Sequence, residues 1–135
     1  EESFGLDDTS AYLDFAKRLD DIKREIANAI QLANKGGKPV AVYGSSVGCA
    51  SLINQFEIGP DLSFVVDDTP FKKRLVGPDY DVEIIGREAL QERQPGLVIV
   101  LAWRYAEPIS KKNGQYLAGG GRFLVPLPTV SFIPA

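Results

Sequence analysis

The residues able to meet a ligand cluster at a few short segments. Gly44-Ser45-Ser46-Val47-Gly48 follows an apolar run and precedes a helical pattern. Small residues at such a turn let the backbone approach a phosphate, and the free N–H groups and dipole of the following helix favour its negative charge. A dinucleotide fingerprint, G-x-G-x-x-G, would place glycine at Gly44, Ser46 and Cys49, and only the first is glycine. The pattern therefore speaks against tightly bound NAD. It leaves open a weaker nucleotide contact or a tight turn with no ligand. Asp67 stands 23 positions after Gly44, where an acid accepts from ribose hydroxyls or bonds its own loop. Lys72-Lys73-Arg74 is the basic cluster, suited to a diphosphate or to solvent. Trp103-Arg104-Tyr105 offers flat walls for a base or sugar, or for a neighbouring domain. Cys49 near a helix start reads as a small packed residue, because no histidine exists to activate a thiol.

Composition narrows the chemistry further. The 135 residues hold no His and one Cys, which excludes Ser-His-Asp and Cys-His nucleophilic sites, an internal disulfide and a multi-cysteine zinc site within this chain. With 15 Lys+Arg against 18 Asp+Glu, the net charge is −3, so a general nucleic-acid binder is not expected. No apolar run reaches the roughly 18–20 residues of a membrane span, and a reduced, cytoplasmic setting fits the single thiol. The chain opens Glu1-Glu2-Ser3 and lacks Met, which points to a piece of a longer protein.

The elements that position these residues follow from periodicity. Residues 1–8 are acidic and read as a linker, leaving 9–135 as one domain. Thr9 or Ser10 then caps a long helix with Tyr12, Phe15, Leu19, Ile22, Ile26, Ile30 and Ala33 on one face, ended by Gly36-Gly37. That stripe covers the core or docks onto another domain. Strands are expected at 40–43, 63–66, 82–84, 97–101 and 123–125, with helices at 47–56, 87–92 and 107–117 and a loop over 69–81. Leu97-Val98-Ile99-Val100-Leu101 has no polar face, as in a parallel strand covered on both sides. The expected fold is α/β: a Rossmann-like, doubly wound, parallel five-stranded sheet of order 3-2-1-4-5 behind a long N-terminal helix. Its ligand crevice would lie between the first and fourth strands.

Several segments together resemble the C-terminal domain of S-adenosylmethionine-dependent sugar C-methyltransferases. They are Val40-Ala41-Val42-Tyr43-Gly44, Ser51-Leu52-Ile53-Asn54, Ile58-Gly59-Pro60-Asp61, Val65-Val66-Asp67, Pro70-Phe71-Lys72, Val98 to Trp103 and Gly120-Gly121-Arg122-Phe123-Leu124-Val125-Pro126-Leu127-Pro128. The resemblance covers about residues 10–128 and departs from the family pattern at Gly48, Cys49 and 77–81. It implies a module that binds a nucleotide-linked deoxysugar through Gly44, Ser45, Ser46, Asp67, Lys72, Trp103 and Tyr105, with no catalytic residue of its own. S-adenosylmethionine, the catalytic base and a zinc ion would belong to upstream domains of the same polypeptide. Without that resemblance, the residues alone allow a non-enzymatic nucleotide-binding or regulatory module, or an interdomain scaffold.

Overall fold

The computed structural model describes residues 2–69 and 72–135, and for 2–8 the course of the backbone alone. The chain forms α1 (Glu2–Lys35), β1 (Val40–Tyr43), α2 (Val47–Phe56), β2 (Phe64–Val66), β3 (Arg74–Gly77), β4 (Tyr80–Ile85), α3 (Ala89–Arg93), β5 (Leu97–Val100), α4 (Ala106–Lys112), α5 (Gly114–Ala118), β6 (Phe123–Val125) and β7 (Ser131–Ile133). The strands make one sheet of order β3-β4-β2-β1-β5-β6-β7.

Alternate residues of the central strands feed two separate cores. Val40, Val42, Leu97 and Ile99 meet Ile26 and Ile30 of α1 and Ile53 of α2. Ala41, Tyr43, Val98 and Val100 meet Leu90, Ile109 and Tyr116 on the opposite face. Every residue of β1 and β5 is buried as a result. Full burial of each aliphatic side chain contributes about 1.5–3 kcal/mol.

Two expectations are corrected. The five-stranded parallel sheet is a seven-stranded mixed one. Parallel pairing joins β4, β2, β1, β5 and β6, and antiparallel β3 and β7 close the two edges. β3 lies inside the expected 69–81 loop, where the Pro78-Asp79 turn folds it back on β4 with Leu75 buried and Val76 exposed. Its short, charged sequence lacks the apolar run that marks the central strands. The acidic stretch expected as a linker continues α1, whose backbone is helical from Glu2 rather than from a cap at Thr9 or Ser10. Glu1 and the Pro70-Phe71 part of the resembling segment lie outside the described residues.

The last helix also divides. Asn113, itself buried, ends α4, and its side-chain amide donates back to the Ile109 carbonyl at 2.8 Å. The long stripe of α1 divides in function. Ile22, Ile26 and Ile30 are buried, while Tyr12 is 70% and Phe15 52% exposed. Among the described residues no helix is long and apolar enough to cross a membrane.

In urea denaturation, Ile26→Ala is expected to lower stability by about 2–5 kcal/mol through the cavity it leaves. Leu13→Ala, at 60% exposure on the same helix, is expected to change it by less than about 0.5 kcal/mol.

Candidate functional site at the carboxyl edge of the sheet

β1 leaves the sheet between β2 and β5, its sequence-distant neighbour, and the chain turns sharply at Gly44. Gly44 has φ +120°, and a Cβ there would lie 2.7 Å from Cys49 Sγ and 3.2 Å from the Ala102 backbone nitrogen. Only glycine passes through this gap without strain. Cys49 thus acts as the small residue that lets α2 approach β1. Ser46 caps α2: its Oγ accepts from the Cys49 N–H at 3.2 Å.

Asp67 and Asp68 follow β2 and divide the work of ordering this edge. Asp67 Oδ2 accepts from both the N–H and the hydroxyl of buried Ser45, and its Oδ1 accepts from the Thr69 N–H at 3.0 Å. Of the two roles expected for Asp67, the structure shows the local one, stitching the turn after β1 to the loop after β2. A phosphate approaching Ser45 would find that N–H already engaged at 3.1 Å and a carboxylate beside it.

Asp68 accepts from the Tyr43 hydroxyl and, at 2.7 Å, from Lys112 Nζ. Burial works to raise its pKa, but donation by Lys112 and Tyr43 outweighs it and holds the carboxyl below its ordinary value of 3.8. Burial, and then the Asp68 contact, pushes the Tyr43 phenol well above its ordinary range, so it remains a donor. Asn113 Nδ2 donates to the same phenolic oxygen at 3.3 Å, and Arg87 donates to the Lys112 carbonyl at 2.9 Å. Among the described residues, no buried side-chain polar atom lacks a partner.

Above this network lies a hollow of about 280 Å³ walled by Tyr43, Gly44, Asp67, Asp68, Tyr105 and Lys112, among others. Tyr105, 65% exposed, separates it from a second hollow of about 340 Å³ beside Ser46, Cys49, Leu52 and Trp103. A third, of about 280 Å³, lies on the far side of Trp103 against Phe15, Leu19, Leu127 and Pro128. The structure therefore brings Gly44, Ser45, Ser46, Asp67, Trp103 and Tyr105 to one edge. Lys72 is exposed ahead of β3 and lines none of these three hollows, and its neighbour Arg74 pairs with Asp81 at 2.7 Å. Asp68, Lys112 and Asn113 were not anticipated. Asp68 could have been suspected beside Asp67, but no spacing rule links Lys112 to a residue 44 positions earlier.

Among the described residues no group of three or more His, Cys, Asp or Glu is placed to hold a metal ion. The edge carries carboxylates, hydroxyls, an ammonium and aromatic walls.

Comparison with known proteins assigns the fold unit. The profile of the C-methyltransferase C-terminal domain matches residues 1–128. The chain belongs to this family. It is also similar to the C-methyltransferase NovU of Streptomyces niveus, at 29% identity over 136 residues. That match takes in 100% of this chain and 32% of the relative, so the chain spans about a third of the length of that enzyme.

Two outcomes are expected at this edge. Gly44→Ala should cost about 1–3 kcal/mol in urea denaturation. Adding Cys49→Ala should recover only part, because the Ala102 backbone stays close. The second outcome concerns pH. Because the folded-state pKa of Asp68 is depressed, its contribution is present above about 3.8 and fades as pH falls through the lower folded value. The stability difference between the protein and its Asp68→Asn variant should therefore shrink from pH 5 toward pH 2, read by denaturation at each pH.

Proposed function

We propose that this C-methyltransferase C-terminal domain holds a nucleotide-linked deoxysugar for methyl transfer carried out by an upstream domain of the same polypeptide. The observation that carries this reading is the hollow beside Gly44. It stands at the carboxyl edge of the sheet, where the neighbours of β1 diverge in sequence, the usual ligand position of open α/β sheets. Family membership supports the reaction class, and the coverage of only 32% of NovU supports a division of labour.

In this reading a base elsewhere removes a proton next to the sugar carbonyl, and the resulting carbanion or enolate attacks an electrophilic methyl group. S-adenosylmethionine supplies that methyl as a sulfonium when bound to the central domain, and zinc belongs to the N-terminal one. The present residues orient. Asp67 and Asp68 present carboxylate acceptors to hydroxyls, Lys112 a cation, and Tyr105 and Trp103 flat apolar walls. Orientation of this kind can account for several kcal/mol of barrier lowering. The phosphate-binding part expected of the Gly44-Ser45-Ser46 turn is weakened by Asp67, so Lys112 is the better partner for substrate charge.

The exposed end of α1 supports the upstream domain as partner. α1 runs down to the start of β1, so its first half stands beside the carboxyl edge. Phe15 and Leu19 lie there against the same hollow as Trp103. Tyr12 and Phe15, three residues apart on one face of α1, are both exposed and leave apolar surface suited to closing the cleft from outside. The working compartment in this reading is the cytoplasm.

The deciding experiment is calorimetric titration of the protein with a nucleotide-linked keto-deoxysugar, a nucleoside diphosphate and NAD, with a parallel methyl-transfer assay. The sugar nucleotide is expected to bind, and Lys112→Ala to weaken it about tenfold, or about 1.4 kcal/mol. With S-adenosylmethionine added, the 135-residue chain alone should show no turnover. Turnover by the chain alone, or NAD binding tighter than any sugar nucleotide, would overturn the assignment.

A further inference from the structure

A larger hollow than those at this edge lies elsewhere in the domain. It opens at the opposite, amino end of the strands, between the C-terminal half of α1, the turns that lead into β1 and β5, and the start of β6. Its volume is about 560 Å³. That lies within the range of about 300–1,000 Å³ typical of small-molecule sites. Its floor is apolar, formed by Ala33, Leu97 and Phe132, and its charged walls are Lys38, Arg122 and Glu25. Arg122 belongs to the Gly120-to-Pro128 segment that carries much of the sequence resemblance, and the carboxyl-edge site makes no use of it.

Arg122 is held in place without being neutralised. Its guanidinium carbon lies 4.0 Å from the centroid of the Phe132 ring. Stacking fixes the plane of the group and occupies one face, while leaving its N–H edge available. Neither Arg122 nor Lys38 meets a carboxylate at ion-pair distance among the described residues. Six of the chain's 15 cations do, namely Lys23, Arg24, Arg74, Arg93, Lys111 and Lys112. Two cations against one acid make this hollow locally positive in a chain whose net charge is −3. Leu32 stands at its rim, 65% exposed.

A bare inorganic anion would use the cations and waste the apolar floor. A neutral apolar molecule would use the apolar floor and gain nothing from Arg122 and Lys38, which are exposed and stay hydrated. We infer that the hollow bounded by Lys38, Leu97, Arg122 and Phe132 is a second ligand site, which takes a small organic anion: a carboxylate or phosphate carried on a planar apolar body. The acid group lies between Arg122 and Lys38, and the body rests against Leu97 and Ala33. Because the site is at the opposite end of the strands from Tyr43 and Tyr105, its occupancy does not compete with a ligand at the carboxyl edge. The inference stands independently of the function proposed for that edge.

The test is a titration of the 15N-labelled protein, followed by amide shifts, with benzoate, phenyl phosphate, inorganic phosphate and benzyl alcohol. Benzoate or phenyl phosphate is expected to shift the amides of Lys38, Gly96, Leu97 and Arg122 in a saturable way, with those of Gly44 to Ser46 unmoved. Benzyl alcohol and inorganic phosphate should give at least tenfold weaker responses. Arg122→Leu should weaken the organic anion at least tenfold, and Arg122→Lys should retain part of the affinity. If Arg122→Leu does not fold, Lys38→Gln takes its place, with a severalfold loss expected. A preference for phenyl phosphate over benzoate, or the reverse, identifies which acid the site takes. No saturable shift with either anion overturns the inference. So does an equal response to benzyl alcohol, an equal response to inorganic phosphate, or shifts confined to the carboxyl edge.

Discussion

The fold depends on the burial of β1 and β5 on both faces. Strands without a polar side need cover above and below, so the chain must return after each one with a helix on one face or the other. Alternation then assigns each residue: Val40 and Val42 to the α1–α2 side, Ala41 and Tyr43 to the α3–α5 side. Once both faces are filled, polar chemistry is confined to the ends of the strands. The two ends differ in kind. The carboxyl end carries a hydrogen-bonded network, and the amino end an apolar hollow with two cations outside any ion pair.

At the carboxyl end most of the polar capacity is spent on the protein itself. Asp67 orders the turn at Ser45, and Asp68 joins Tyr43 to Lys112. Such self-satisfied networks cost little to keep dry and leave the walls of a hollow well positioned before a ligand arrives. The chain has no histidine, and Tyr43 is held protonated by burial and its contact with Asp68.

α1 is committed to the core over only part of its length. Its buried half is fixed by Ile22, Ile26 and Ile30, while Tyr12 and Phe15 continue the same periodicity and are exposed among the described residues. Periodicity reports that a face is meant to be covered, but it does not name the cover. For the same reason the stripe from Tyr12 to Ala33 read as one surface in the sequence and divides into two in the fold.

The sequence by itself determined the central elements, because an all-apolar run such as Leu97–Leu101 or the 3–4 spacing of Ile22, Ile26 and Ile30 has one way to bury itself. It also determined the special turn at Gly44, where residue type and backbone conformation are tied directly. The edge strands β3 and β7 were hidden, since a strand with one neighbour and an exposed face needs little hydrophobic signal. The polar edge was half legible. Gly44, Ser45, Asp67 and Tyr105 follow strands and could be placed by topology. Tertiary structure alone joined Asp68 to Lys112, left Lys72 away from the hollows and stacked Arg122 on Phe132. Each of those depends on a distance between residues far apart in the chain, which only packing sets.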